Sequence, residues 1–475
     1  MFEYISTKLD PEVILWGSFL FGILVIFARI RPAICFAMGF PALIFLGQLK
    51  TYFPISTSAD AALFPLAVIL ISLLKGHRFR FGKCEKLMFG LALLIAFSVC
   101  YSLNPPYGSD KALLFCFMVV PIVVFAPNII TNVKSLRSVI FIIIWTLIIF
   151  VFTSLLFRWR MGSVTGRVAA LLDEITAGQF LGLTAVISYL YIILIRHCYA
   201  AKVIFFFVLL VSTILLFMTG TRAALLTVII ILMFMYWFIH IDWFKRIFRK
   251  PHQTYAIIVL GVLIVLAGRS VLRKVLPEVV YNRYASVENF FNNFSPNEIR
   301  NWKISEGRTL NYTYAIKYFF AHPLTGIGAG SYKTMLSYSG KKKYVRAMYR
   351  DKSRVYPHNL ILEFACEQGI LGLIGIICVI YLNAKIIFRL RKMDHLNTQN
   401  QFLVCCCVGI YMYGLCVSMA SLDVPRMMIL WWGMGLLLAV DRIYRQPPKV
   451  CLKNQRTSNR KCDFQQGPEE CQKSQ

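Results

Sequence analysis

Residues 203–240 read VIFFFVLLVSTILLFMTGTRAALLTVIIILMFMYWFIH. Two apolar runs, 203–219 and 222–240, are separated only by the turn containing Gly220 and Thr221. At 1.5 Å per residue, each run is about the length of helix needed to cross the hydrocarbon of a bilayer. Neither run alternates polar with apolar residues, which excludes the strands of a membrane barrel. The stretch is a transmembrane helical hairpin, and its pattern recurs along the chain.

Of the 475 residues, 58% are hydrophobic and only 15% charged, a balance that excludes a soluble globular class. Further apolar segments fall at 12–28, 33–48, 60–75, 87–103, 112–126, 138–157, 178–195, 255–271, 358–388, 402–420 and 426–441. The fold class that follows is all-α: a polytopic transmembrane helical bundle of about 12–13 spans. Residues 1–271 form an N-terminal bundle, 272–357 one long periplasmic loop containing short helices, and 358–445 the closing helices. Residues 446–475 make a polar, basic, disordered cytoplasmic tail. The segment before Val13 carries Glu3, Asp10 and Glu12, so it lacks the basic start of a cleavable signal.

Charge sets the orientation. Lys75, Arg78, Arg80, Lys83 and Lys86 share one loop, and Arg196, Lys202, Lys245, Arg246, Arg249, Lys250, Arg389, Arg391 and Lys392 fall on the same side, the cytoplasm by the positive-inside rule. Most of the net charge of +29 belongs to these loops and the tail. Residues 272–357 nonetheless carry 15 Lys and Arg against 5 Asp and Glu. That excess on the outer side calls for a phosphate-bearing partner, whether lipid head groups or a pyrophosphate substrate. Many of the 14 cysteines lie in apolar spans and none lies in the outer loop, so neither a disulfide framework nor a metal site is indicated.

The residues that suggest chemistry stand at the outer ends of spans. Tyr356-Pro357-His358-Asn359 precedes an apolar helix, and Pro357 suggests that His358 and Asn359 occupy its first turn. The free N–H groups there favour an anion and a neutral imidazole able to accept a proton. Asn359, Glu363 and Glu367 recur every fourth residue on one stripe. Carboxylates inside a span need a wet cavity or a cation. Gly369, Gly372 and Gly375 offer a surface for close helix approach. Arg222, after Thr219-Gly220-Thr221, opens a helix where its charge opposes the dipole unless an anion binds beside it. Leu310 to Phe320 reads as an amphipathic helix that stops at His322-Pro323. The run Gly326-Ile327-Gly328-Ala329-Gly330 closes a turn and could expose N–H groups to phosphate, although no P-loop lysine follows.

Three separated motifs, in this order around one long loop, resemble the O-antigen ligase and polymerase superfamily. They are Thr219-Gly220-Thr221-Arg222; Arg308 with Tyr312 and Ala315 ahead of His322-Pro323-Leu324-Thr325-Gly326-Ile327-Gly328; and Pro357-His358-Asn359 with Gly369 and Gly372. The resemblance covers roughly residues 200–390, while the region 162–179 lacks the Pro-Asn pair of many relatives. It implies a metal-independent, inverting glycosyltransferase of the bacterial inner membrane with its active site facing the periplasm and no cofactor. The donor would be an undecaprenyl-diphosphate-linked glycan, the acceptor a lipid A-core hydroxyl or a second lipid-linked glycan, with membrane lipids as further partners and no nucleic acid. On that resemblance His358 is the catalytic base, Arg222 and Arg308 bind the donor pyrophosphate, and Asn359, Glu363 and Glu367 support the histidine. An O-antigen ligase is the favoured activity; a polymerase or a protein O-oligosaccharyltransferase would use the same donor, and a lipid-linked sugar transporter or flippase would perform no chemistry.

Overall fold

The computed structural model describes residues 11–49, 57–161, 174–195, 198–219, 221–239, 306–341, 355–392, 396–420 and 423–445. The expected span at 255–271, most of the outer loop and the tail lie outside them. Among the described residues there is no strand, and the protein is an all-α bundle. Its helices are α1 (Pro11–Ile30), α2 (Pro32–Leu49), α3 (Thr57–Leu74), α4 (Lys83–Ser98), α5 (Pro105–Leu114), α6 (Val120–Ile129), α7 (Val133–Met161) and α8 (Glu174–Leu194). They continue with α9 (Tyr199–Thr219), α10 (Arg222–Ile239), α11 (Glu306–Ala321), α12 (Tyr332–Leu336), α13 (Leu360–Arg391), α14 (Thr398–Ser418) and α15 (Met428–Arg445). Among the described residues eight helices are long and apolar enough to cross a membrane, including Pro105–Ile129, Tyr199–Thr219, Arg222–Ile239 and Leu360–Arg391.

Local chemistry sets the boundaries. Asn397 caps α14 by accepting a hydrogen bond from the Asn400 N–H at 2.9 Å, and Asn132 caps α7 through the Ser135 N–H at 2.8 Å. Between α5 and α6 the helix widens into a π turn over Phe115–Val119. Pro121 explains it: proline donates no hydrogen bond and crowds the carbonyl four residues back, so the turn opens around that carbonyl. The expected span began at Ala112, whereas the helix begins at Pro105 and carries Asp110 and Lys111 into the bundle.

The centre of the bundle is aromatic. Trp432 meets Phe36 at 5.0 Å and Phe40 at 5.8 Å, and Phe115 lies edge-on to Trp431 at 5.7 Å. Helices α14 and α15 approach through reciprocal glycines: a Cβ on Gly414 would stand 2.5 Å from Leu430 backbone, and one on Gly433 2.5 Å from that of Tyr411. Apolar side chains such as Leu93, Phe141, Phe206, Leu226 and Ile374 point outward, as a lipid-facing surface requires.

The two ends of the bundle differ. At one end Arg442 binds Glu85 at 2.7 Å and Asn128 at 2.9 Å, Arg389 binds Asp441 at 2.7 Å, and Arg391 lies 4.3 Å over the Trp237 ring. This is the end where the loop cations read from sequence gather. The opposite end holds the entry to α13, the glycine run and the start of α10.

Candidate functional site

Helix α13 begins three residues later than Pro357 suggests. Asn359 is its N-cap: Oδ1 accepts from the Leu362 N–H at 3.0 Å, and Nδ2 donates to the Met419 carbonyl at the end of α14, also at 3.0 Å. His358 therefore stands outside the first turn, with φ 61°, the one non-glycine residue of positive φ among the described residues. A left-handed histidine costs about 1–3 kcal/mol and persists where its neighbours over-determine it. Asn359 does so by bonding to helices on both sides. Tyr356 packs its ring 4.5 Å from the His358 ring, and both remain partly exposed. Tyr312 of α11 also donates to the Met419 carbonyl, at 3.4 Å, so three elements meet beside the histidine. Asn359→Ala is expected to cost about 1–2 kcal/mol as a lost cap. Asn359→Asp keeps the capping acceptor and loses only the bond to Met419, so thermal unfolding should rank wild type above Asp above Ala. An alanine variant melting with the wild type would remove the capping role.

The glycine run is a plug. Gly369 leaves helical geometry at φ 65°, ψ −153°, which breaks α13 and frees the carbonyls of the preceding turn. Ile327 N–H donates to the Cys366 carbonyl at 2.9 Å, Gly328 N–H to that of Glu367 at 3.0 Å, and Ile370 N–H to that of Pro323 at 2.7 Å. On the other side Ser98 accepts from the Ala329 N–H at 3.2 Å, while Ser102 donates to the Ala329 carbonyl at 2.7 Å and Tyr101 to that of Thr325 at 2.6 Å. These N–H groups are spent within the protein, so the run does not cradle phosphate. Nor do the three α13 glycines form one packing face: only Gly375 meets another helix, at Leu91, whereas Gly369 receives the loop.

A Cβ on Gly326, at φ 68°, would stand 2.4 Å from the Glu367 carbonyl, and one on Gly369 2.4 Å from that of Leu324. Gly326→Ala is expected to cost roughly 2–4 kcal/mol, combining backbone strain with weakened docking bonds. Gly90→Ala, with open space around its Cβ, serves as the neutral control. Equal melting temperatures for the two variants would show that the plug does not hold the fold.

Beneath this plug lies an ionic cluster. Lys111 Nζ binds Glu363 Oε1, Glu367 Oε2 at 2.7 Å and Asp423 Oδ1 at 3.1 Å, with all four side chains at most 2% exposed. Tyr107 donates to Asp423 Oδ2 at 2.7 Å, and the Val424 N–H donates to Glu363 Oε1 at 3.2 Å. Burial alone would raise the Asp423 carboxyl, but the Lys111 ammonium and hydrogen bonds from its neighbours, Tyr107 among them, bring it below the ordinary aspartate value. Its contribution to stability is therefore complete above the ordinary aspartate range and is lost only as pH falls through that lowered value.

Glu363 and Glu367 are thus committed to Lys111, and any support they give His358 passes through the start of α13 and its cap Asn359, which follows the histidine. The stripe of acids did signal a missing cation. Lys111 escaped notice because the apolar run was read from the next residue, and Asp423 because it sits in a short connector.

Arg222 is the first residue of α10 and is partly buried. Before it, the hydroxyls of Thr219 and Thr221 bond to each other at 2.7 Å, and Gly178 of α8 leaves room for Thr221. One turn deeper, Gly182 of α8 abuts the Tyr413 hydroxyl of α14. Met419 lies beyond Tyr413 in the same direction, which brings Arg222 to the end of the bundle where Asn359 and His358 stand. Arg308 falls in the first turn of α11; its side chain lies outside the described residues.

Residues 205–377 match a family model described as O-antigen ligase. Among curated proteins no sequence matches the chain. The matched segment contains Arg222, Arg308, His358, Glu363 and Glu367, whereas Lys111 and Asp423 lie outside it.

Proposed function

We propose that this chain, whose residues 205–377 carry the domain of the O-antigen ligase and polymerase superfamily, is an O-antigen ligase. It moves a glycan from undecaprenyl diphosphate to a hydroxyl of the lipid A core at the outer face of the bacterial inner membrane. The observation that carries this reading is the family match over the segment whose helix ends present His358 and Arg222 at one end of the bundle.

In this mechanism, the acceptor oxygen attacks the anomeric carbon while His358 takes the hydroxyl proton. The bond from that carbon to the diphosphate oxygen breaks, and its electron pair leaves with the diphosphate. Attack opposite the leaving group inverts the anomeric centre. Arg222 and Arg308 receive the growing charge through bidentate hydrogen bonds, which lysine cannot reproduce. The left-handed turn at His358 holds the imidazole ahead of the helix instead of along its flank.

The test is transfer by purified full-length protein given lipid-linked glycan and lipid A core. Binding of the glycan without its transfer would defeat the enzymatic reading and favour transport. A deletion strain separates ligase from polymerase: unattached long chains follow ligase loss, and a core bearing a single repeat follows polymerase loss.

A further inference from the structure

Arg426 stands out among the cations at the His358 end whose side chains are described. Lys111 is neutralised by three carboxylates, Lys317 lies 6.0 Å over the Tyr314 ring, and Arg222 and Lys333 each have interactions within the protein. Arg426 has no ion pair or side-chain hydrogen bond among the described residues, and its Nε is buried without an acceptor. Its neighbour in sequence, Asp423, is taken by Lys111 and Tyr107.

The backbone beneath Arg426 is firmly built. Val424–Arg426 is a 3-10 turn with Pro425 inside it. The Arg426 N–H donates to the Asp423 carbonyl at 2.8 Å, and the Trp431 indole donates to the Val424 carbonyl at 2.8 Å. The Val424 N–H is bound to Glu363, one helical turn below Asn359. This backbone holds a partly exposed guanidinium near the candidate site, with its donors unmet among the described residues. Five N–H groups in a planar fork suit an oxyanion, and a buried donor favours a ligand that completes it.

We infer that Arg426 is a further oxyanion-binding residue, donating to a phosphate or diphosphate oxygen of the substrate. The inference rests on the glycan-transfer reading, because that reaction brings phosphate to this end from two sources: the donor diphosphate and the phosphates of the acceptor lipid. Arg426 then works beside Arg222 and Arg308 from a connector outside the matched family segment.

Binding of undecaprenyl diphosphate and of bisphosphorylated lipid A is measured separately on full-length wild type, Arg426→Gln and Arg426→Lys in nanodiscs. Arg426→Gln is expected to weaken one probe about tenfold or more, with Arg426→Lys between it and wild type. Loss confined to undecaprenyl diphosphate assigns the donor, and loss confined to lipid A assigns the acceptor. Without either probe, the glutamine variant should melt at or above the wild-type temperature, since it breaks no side-chain bond among the described residues. Equal binding of both probes by wild type and Arg426→Gln would overturn the inference while leaving glycan transfer intact. A large loss of melting temperature without probe would overturn it in favour of a structural role. Wild type binding neither probe would overturn it together with the reading on which it rests.

Discussion

Replacement of Lys111 by methionine should destabilise the protein by about 3–5 kcal/mol, because it leaves three buried carboxyl groups without their cation. Methionine preserves much of the side-chain volume, so the effect reports charge more than packing. Among the described residues Glu363 Oε2 and Glu367 Oε1 have no hydrogen-bond partner, so Lys111 supplies the main compensation for both carboxyls. The loss should fall on α5, the entry to α13 and the connector after α14 together. Replacing Glu363 and Glu367 by glutamine in the methionine background should recover much of the stability, since it removes two of the three stranded acids. Thermal unfolding of the purified single and triple variants tests this. A methionine variant as stable as wild type, or a triple variant no better than the single, would sink the charge argument.

Transfer should fall about 10²- to 10⁴-fold in His358→Asn, the range expected for removing a general base. Asparagine is the informative replacement because it tolerates the left-handed backbone found at this position, whereas alanine adds a conformational penalty. His358→Ala should lose transfer as well but blur chemistry with local disorder. Donor affinity should stay near wild type in the asparagine variant, since a base acts on the acceptor hydroxyl. Measured kcat and donor binding separate the cases: a wild-type kcat refutes the role of His358 as base, and parallel loss of donor affinity makes it a binding group.

Much of the bundle was legible because bilayer energetics leave few choices. Runs such as 203–219 and 222–240 became α9 and α10 with boundaries close to those read from hydropathy. The amphipathic spacing of Leu310 to Phe320 became α11, from Glu306 to Ala321. What composition could not reveal was pairing across long separations. Glu363 and Glu367 announced a missing cation, but the rule of fourfold spacing relates residues within one helix, and Lys111 lies on another. Gly369 was misread for the same reason: small residues at helical spacing suggest a packing face, while the break comes from a loop that supplies donors to the freed carbonyls. His358 was placed three positions too deep because asparagine capping outweighed the preference of proline for a first turn.

The separation between Lys111 and its partners also bears on how the protein is made. Lys111 precedes Glu363 by 252 residues. At 5–20 residues per second, it waits roughly 13–50 s of synthesis before the first neutralising carboxylate emerges. During that interval an uncompensated ammonium occupies a nascent hydrophobic segment, near the limit of what an insertion machinery accepts. Completion of the chain's last third thus becomes a condition for the stable membrane embedding of its first third, and truncated chains ending before α13 should be prime substrates for membrane quality control.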